Sequence, residues 1–219
     1  MISAIVLAAG ESKRMGRPKQ MLAWRGKTLL RHVLESLIHS DVDEIVLVLG
    51  HEAEAIGKSL SDLLETFESR IPERKMSSAR RNHDFHRPHI EIVINQDYTQ
   101  GMASSLQAGL RALDPKSEAF LVILADQPGI GPEIINRMIR GFREADPRRG
   151  IVRPLYRGRG GHPVLIGARY LEEALQLHGD VGARQILSDH PGDILEIDVD
   201  QDAVLRDIDT PAEYEKLTR

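Results

Sequence analysis

Four cationic side chains stand within seven positions near the start of the chain. Residues 13–19 contain two lysines and two arginines, and they follow the small residues Ala8, Ala9 and Gly10. Small residues let a backbone turn tightly and come close to a ligand. Backbone N–H groups and Arg or Lys side chains together bind phosphate oxygens. The spacing predicts a polyphosphate cradle, and the alternative is a solvated basic loop after an edge strand.

Carboxylates in two distant parts of the chain are candidates for holding a metal ion against such phosphates. Asp126 follows the apolar run 119–124 (AFLVIL), which has the composition of a central strand. Ligands of open α/β sheets bind at the carboxyl ends of the strands, where a carboxylate suits Mg²⁺ that bridges nucleotide phosphates. The alternative is that Asp126 caps the helix expected near Pro132. Asp207 and Asp209 face the same side if that segment is extended.

Two polar segments late in the chain have the composition of anion-binding loops. Residues 156–161 (YRGRGG) join two predicted strands, and a flap of this kind could grip an anionic substrate. Residues 179–184 (GDVGAR) place Arg184 after two glycines, where its guanidinium could bind a phosphate or a carboxylate. The alternative for this segment is a helix start capped by Asp180, with Arg184 paired to an acid.

The segments between these residues alternate between strand and helix patterns. Such alternation implies parallel strands joined by right-handed crossovers. Thr210, Pro211 and Glu213 have the spacing of a capping box at the start of a last helix. The fold class is therefore α/β, and we predict a three-layer α/β/α sandwich with a mostly parallel, Rossmann-like sheet. The predicted strands are 2–7, 44–49, 90–94, 119–124, 150–155, 162–166 and 194–199, and the other predicted helices are 26–39, 52–67, 102–113 and 170–177.

Composition limits the class of protein. The 219 residues suggest one domain, residues 1–219, and the 41% hydrophobic share is enough for a sizeable core. A net charge of -4 argues against a general nucleic-acid partner. The absence of cysteine excludes disulfides and thiolate chemistry. With neither a signal peptide pattern nor an apolar run that could span a bilayer, we expect a cytoplasmic protein without a membrane partner.

Residues 70–89 interrupt the alternation of strands and helices. The segment contains six Lys or Arg, two acids, two prolines and three histidines. A charged, proline-bounded stretch of this length predicts a flexible basic insertion in the domain. We expect it either to be specific to this lineage or to attract an anionic substrate.

The first loop resembles a known nucleotidyltransferase signature. Its sequence is similar to the L-A-(A/G)-G-x-S-x-R-M-G-x-x-K-x-L motif of enzymes that build molybdenum cofactor dinucleotides, and most closely to the molybdenum cofactor cytidylyltransferases. The resemblance implies a nucleotide-diphospho-sugar transferase-like fold and a reaction that transfers CMP from CTP to molybdopterin and releases pyrophosphate. Guanylyl-transferring relatives usually carry Gly at the position of Ala9, so we predict that the Ala9 methyl favours CTP over GTP. The matching residues are Leu7, Ala8, Ala9, Gly10, Ser12, Arg14, Met15, Gly16, Pro18 and Lys19.

The resemblance continues in family order through Asn95–Ser105, the Ala125–Pro128 tetrapeptide, Gly161–Val164, Gly179–Arg184 and Asp207–Pro211. It implies Mg²⁺ as the cofactor. It also implies a role for each matching residue. The expected catalytic residues are Arg14 and Lys19; the nucleotide-binding residues Leu7, Ala8, Ala9, Gly10, Glu11, Ser12, Lys19, Asn95 and Ser105; the metal ligands Asp126 and Asp209; and the acceptor-binding residues His162, Asp180 and Arg184.

Other functions remain open from the sequence. A related nucleotidyltransferase could use GTP or another phosphate acceptor, and a non-catalytic protein could carry or insert the finished cofactor. The expected partners are CTP and molybdopterin, together with a molybdoenzyme or its insertion chaperone. His162 is not needed as a general base, because a phosphate nucleophile is already ionised near neutral pH.

Overall fold

The computed structural model describes residues 1–68 and 87–218. The predicted insertion 70–89 therefore lies outside the described residues, except for residues 87–89. The strands are β1 (Ile2–Ala8), β2 (Ala23–Trp24), β3 (Lys27–Thr28), β4 (Glu44–Leu49), β5 (His89–Ile94), β6 (Ala119–Leu124), β7 (Ile151–Tyr156), β8 (Arg159–Gly160), β9 (Val164–Gly167) and β10 (Ile194–Asp198). The α-helices are α1 (Leu29–Ile38), α2 (Ala53–Ser59), α3 (Ser61–Glu68), α4 (Met102–Ala112), α5 (Pro132–Glu144), α6 (Leu171–Ala174), α7 (Arg184–Asp189) and α8 (Pro211–Thr218).

Eight of the described strands form one sheet. Its order is β10-β7-β9-β6-β1-β4-β5, and β8 pairs with β7. The pairs of β1 with β4 and β6, of β4 with β5 and of β10 with β7 are parallel. Strand β9 is antiparallel to both β6 and β7. The sheet is therefore mixed and mostly parallel, as predicted.

Helices cover both faces of this sheet. Alternate residues of β1 enter different cores, because successive side chains of a strand point to opposite faces. Ile2, Ala4 and Val6 pack with the buried residues of α1 and α5, whereas Ile5 packs with those of α4 and α7. All six residues of β4 are buried, which is typical of a central parallel strand. The three-layer sandwich is confirmed.

Several element boundaries differ from the sequence predictions. The predicted helix at 26–39 begins only at Leu29, because Gly26 has φ +82° and turns the β2–β3 hairpin, after which Thr28 caps the helix. The predicted helix at 52–67 is two helices that meet at Leu60. The predicted strand at 162–166 starts at Val164, so His162 lies in the preceding loop.

The segment at 150–166 also has a different architecture from the predicted flap. Strand β9 does not fold back as a free hairpin on β7 but lies between β7 and β6 in the main sheet. Only the short β8 forms a tight hairpin with β7. The basic loop is thus an extension of the sheet rather than a separate flap.

Candidate active site

A cavity of about 910 Å³ opens at the carboxyl ends of β1 and β6. This is the edge at which parallel α/β sheets bind ligands. Its walls come from the first loop (residues 9–19), the start of α4, the loop at 179–183 and the segment before α8. The lining residues that matter for the chemistry are Gly10, Arg14, Lys19, Asp126, His162, Asp180, Arg184, Asp207 and Asp209.

Hydrogen bonds between the start and the end of the first loop fix its conformation. Ser12 has φ +54°, a left-handed conformation, and its hydroxyl accepts a hydrogen bond from the Lys19 amide at 3.1 Å. Gln20 is buried and donates from Nε2 to the carbonyls of Ala8 at 2.7 Å and Gly10 at 3.2 Å. These bonds fix the direction in which the loop presents Lys19. Sequence reasoning missed Gln20, whose only signal is a polar side chain between Lys19 and an apolar pair.

Lys19 connects the two carboxylates that were predicted to hold a metal. Its ammonium contacts Asp126 Oδ2 and lies 2.8 Å from Asp209 Oδ1. Arg14 donates from its guanidinium to the other oxygen, Oδ2, of Asp209 at 2.7 Å. The structure therefore brings together all four predicted catalytic and metal-binding side chains. Asp126 does not cap the helix after it, because Gly131 occupies that position.

The C-terminal helix α8 positions Asp209 for these contacts. Glu213 accepts hydrogen bonds from the Asp209 and Thr210 amides at 2.9 and 2.8 Å, and Thr210 Oγ1 accepts one from the Glu213 amide at 3.3 Å. The predicted capping box is thus confirmed. The indole of Trp24 donates to the Leu217 carbonyl at 3.1 Å, which anchors the helix to the β2–β3 hairpin.

Burial and the neighbouring charges shift the pKa values in this cluster. Burial by itself lowers the pKa of Lys19, but the carboxylates of Asp126 and Asp209 together raise it above its ordinary value. Burial by itself raises the pKa of Asp209, but the nearby cations Lys19 and Arg14 hold it below its ordinary value. Burial raises the pKa of Asp126 despite the ammonium beside it, and Asp207 adds to the effect. Lys19 therefore stays cationic, and it is the main compensation for a deeply buried acid.

The donor set at this point fits a divalent cation. Asp126 is 3% exposed, and its Oδ1 is a buried oxygen without a hydrogen-bond partner. A buried carboxylate oxygen without a partner is costly unless a ligand satisfies it. Within the described ranges no three His, Cys, Asp or Glu side chains form a metal cage. Mg²⁺, however, is commonly held by one or two carboxylates together with substrate phosphates.

Asp207 has a different partner from Asp209. Gln127 Nε2 donates to Asp207 Oδ1 at 2.6 Å, which ties the residue after Asp126 to the segment that carries Asp209. This link connects the two loops that bear the candidate metal ligands.

The other residues predicted to bind nucleotide occupy two kinds of position. Gly10, Glu11 and Ser12 line the cavity. Asn95 and Ser105 are buried, and Asn95 Nδ2 donates to Ser105 Oγ at 3.0 Å. Their side chains stabilise the loop before α4 and are not part of the cavity wall. Of the residues that line the cavity there, Tyr98, Thr99 and Gln100 were not predicted to belong to the site, whereas Met102 belongs to the segment that matches the family.

The strand end before the first loop lies under the cavity. Leu7 and Ala8 belong to β1, and Ala9 follows directly at 3% exposure. The methyl of Ala9 packs against Gly50, where an added Cβ would come within 2.9 Å of it. None of these three side chains is part of the cavity lining. The Ala9 methyl is part of the core, so its predicted effect on the choice between CTP and GTP has no direct steric basis in the cavity.

The predicted acceptor residues come from two segments, the loop before β9 and the loop at 179–183 with the first residue of α7. His162, Asp180 and Arg184 all line the cavity. Burial lowers the pKa of His162 while Asp207 opposes the shift, so the imidazole is neutral near pH 7. Its Nδ1 is buried without a hydrogen-bond partner. Asp180 Oδ1 accepts a 3.4 Å hydrogen bond from the Met102 amide, so this acid caps α4.

Two glycines bring the start of α4 close to the loop at 179–183, and these two segments form one wall of the cavity, the far wall. Gly101 has φ +106°, and a Cβ at this position would lie 2.5 Å from the Gly179 carbonyl group. The Ala103 amide donates to that carbonyl at 3.0 Å. Only a residue without a side chain permits this approach, so the start of α4 and the 179–183 loop form one backbone-packed wall.

The sequence profile described as "MobA-like NTP transferase domain" matches residues 4–194. The chain belongs to this family. It is 28% identical over 213 residues to the molybdenum cofactor cytidylyltransferase of Escherichia coli K12, covering 97% of this chain and 93% of that protein. It is 31% identical over 221 residues to nicotine blue oxidoreductase of Paenarthrobacter nicotinovorans, covering 99% and 96%.

Solved structures of a mycobacterial relative share the fold. Rv0371c of Mycobacterium tuberculosis H37Rv superposes with a TM-score of 0.75 at 27% identity, covering 99% of this chain and 96% of that one. Its complex with manganese has a TM-score of 0.72 at 26% identity, covering 99% and 97%. The nucleotidyltransferase family and the nucleotide-diphospho-sugar transferase-like fold predicted from the first loop are thus confirmed. The chain is an enzyme of a nucleotidyltransferase family.

The described helices can be checked for a segment that could span a membrane. In ranges 1–68 and 87–218, no helix combines the length and apolar character needed to cross a bilayer. The cytoplasmic location stays a prediction.

Proposed function

We propose that this nucleotidyltransferase transfers a cytidylyl group from CTP to molybdopterin and releases pyrophosphate. An oxygen of the acceptor phosphate attacks the α-phosphorus in line, and the bond from the α-phosphorus to the bridging oxygen breaks. Pyrophosphate leaves with that bridging oxygen and its electron pair. No protein nucleophile is required, so the residues act by positioning and charge stabilisation.

The first loop takes the triphosphate in this proposal. Gly10, Glu11 and Ser12 line the cavity beside Arg14 and Lys19. Their amides would bind phosphate oxygens, and Arg14 and Lys19 would carry the charges that neutralise the departing pyrophosphate. Gln20 and Ser12 keep this loop in the conformation that presents Lys19. Charge that develops on the leaving group is stabilised without reorganisation of the loop, which is the main source of catalysis in such reactions.

Asp126 and Asp209 would hold Mg²⁺, in accord with the manganese complex of the mycobacterial relative. When bound, the ion would neutralise and orient the phosphates. The cavity residues His162, Asp180 and Arg184 would take the acceptor. His162 is neutral and its Nδ1 is a buried atom without a hydrogen-bond partner, so it suits hydrogen bonding to the acceptor, while Arg184 supplies the positive charge for its phosphate.

One observation carries this proposal. Lys19, Asp126 and Asp209 come from positions far apart in the sequence, yet they meet at the ligand-binding edge of the sheet. Two acids and a lysine at that position are the groups that a metal-dependent phosphate transfer requires.

The test is pyrophosphate release from each nucleoside triphosphate, with and without molybdopterin. We expect release from CTP only when molybdopterin and Mg²⁺ are both present. Faster release from GTP would make the protein a guanylyltransferase, and release with another phosphate acceptor alone would change the substrate. A protein that binds the cofactor and releases no pyrophosphate with any nucleotide would be a carrier that supplies a molybdoenzyme or its insertion chaperone.

A second candidate function follows from the 31% identical relative that is named as an oxidoreductase. The first strand is followed by the cationic loop and not by a G-x-G-x-x-G dinucleotide fingerprint, which favours the transferase. Loss of nicotine blue absorbance in the presence of NADH or NADPH, without pyrophosphate release from any nucleotide, would select the oxidoreductase.

A further inference from the structure

The position of Lys19 raises a question that the transfer reaction alone does not answer. A lysine of a phosphate loop is expected to face the phosphates, yet the Lys19 ammonium lies between Asp126 and Asp209. Its side chain is 24% exposed, whereas that of Asp126 is 3% exposed. The ammonium thus fills the space between two carboxylates that a divalent cation would need.

The charges at this point balance without a metal. Asp126 and Asp209 contribute two negative charges, and Lys19 and Arg14 contribute two positive ones. A divalent cation added to this set would create an excess positive charge in a partly buried site, where Coulomb energies are large. The unpartnered, buried Oδ1 of Asp126 nevertheless points to a ligand beyond Lys19.

We propose that Lys19 and the divalent cation compete for Asp126 and Asp209, so that Lys19 is the counter-ion of this acid pair until a nucleotide arrives. This inference rests on the proposed function, because triphosphate oxygens are what would draw the ammonium away. Lys19 then has two exclusive partners: the carboxylates in the nucleotide-free protein and the phosphates in the loaded one. The protein consequently binds free metal weakly and binds metal with nucleotide strongly.

The test is a Mn²⁺ titration of the nucleotide-free, full-length protein, followed by electron paramagnetic resonance of the unbound ion. Lys19→Met keeps the length of the side chain and removes its charge. We expect Lys19→Met to bind Mn²⁺ about tenfold more tightly than the wild type, a typical size for coupling between two bound groups. Equal or weaker binding by a folded Lys19→Met protein would overturn the proposal.

Two further variants locate the effect. Lys13→Met is the matched control, because Lys13 is in the same loop but pairs with Glu11 and contacts neither carboxylate. We expect the Mn²⁺ affinity of Lys13→Met to equal that of the wild type. A gain like that of Lys19→Met would mean that the affinity depends on the total charge of the loop and not on the contact of Lys19 with the carboxylates. Adding Asp126→Asn to Lys19→Met should abolish the gain, and a gain that persists would mean that the ion binds elsewhere.

Thermal melting gives a second readout that covers a poorly folded variant. Lys19→Met leaves the buried acid without its ammonium, so its melting temperature should fall, and Mn²⁺ should raise it more than it raises that of the wild type. Should Lys19→Met not fold, Lys19→Gln goes through both measurements. Equal Mn²⁺ shifts in variant and wild type would refute the competition. No nucleotide is present, so a failure here is distinct from failure of the CTP assay.

Discussion

At one end of the cavity, Lys19 and Arg14 reach carboxylates contributed by the loop after β6 and by the segment before α8. At the other end, Gly101 packs backbone to backbone on Gly179, and the exposed apolar side chains of Met102 and Val181 lie beside it. Side-chain charges assemble the first end, whereas close backbone packing assembles the second.

The two ends of the cavity therefore suit different kinds of ligand. A phosphate is a fixed, strongly charged target, so a few oriented charges bind it and lose affinity sharply when one is removed. An acceptor with both anionic and apolar parts needs a wall of the right shape, which depends on backbone positions. We expect substitutions at the phosphate end to lower turnover and those at the far end to raise the KM for the acceptor.

The largest effect is expected from Asp126→Asn, which keeps the shape of the buried side chain and removes its charge. Turnover in the pyrophosphate assay should fall by about 10²- to 10³-fold, the scale on which preorganised electrostatic contacts act. Asp207→Asn is the control, because Asp207 is bound to Gln127 rather than to Lys19, and it should cost less than Asp209→Asn. If Asp207→Asn proves more damaging than Asp209→Asn, the metal assignment is off by two residues.

Lys19→Ala should lower turnover nearly as much, on the order of 10²-fold, because the leaving pyrophosphate loses its cation. Its KM for the acceptor should stay close to that of the wild type, since the far wall does not contact Lys19. Single-turnover kinetics measure the rate of transfer and a melting curve measures stability, so together they separate a loss of catalysis from a loss of folding. An unchanged rate in the folded variant would remove Lys19 from the mechanism and with it the contrast between the two ends.

Gly101→Ala tests the backbone-packed wall. A Cβ would collide with the Gly179 carbonyl and impose φ +106° on alanine, so we expect a loss of about 1–3 kcal/mol in unfolding free energy. The KM for molybdopterin should rise more than kcat falls. Gly192→Ala is the control, because a Cβ there meets nothing within 4 Å. Equal effects of the two substitutions on KM would show that the wall is not shaped by this contact.

The smallest effect is expected from Ala9→Gly. The methyl of Ala9 packs against Gly50 outside the cavity, so the ratio of CTP to GTP turnover should change by well under the roughly tenfold that a methyl in contact with the base is worth. Competition between the two nucleotides in one assay measures this ratio. A shift of tenfold or more would mean that the loop backbone moves and transmits the substitution to the base.

The sequence by itself supplied the candidate residues of the proposed phosphate end. Cations clustered after a small-residue strand end, an acid at the end of the most apolar strand and an Asp before a capping box are local signals, because each residue type is tied to its own chemistry and its own neighbours in the chain. The order of strands and helices likewise follows from apolar periodicity, which is a local property. These signals made Arg14, Lys19, Asp126 and Asp209 candidates, and the resemblance to the nucleotidyltransferase family joined them as one site.

Only the tertiary structure decided what the remaining polar residues do. Asn95 and Ser105 have the types of ligand-binding residues, but their buried hydrogen bond to each other gives them a role in the loop. Core residues fill the space around the Ala9 methyl. Strand β9 lies within the sheet because β6 and β7 satisfy the backbone hydrogen bonds at both of its edges. Whether a side chain faces the cavity or the core depends on packing between distant segments, and the position of Lys19 between two acids exists only because the fold brings those segments together.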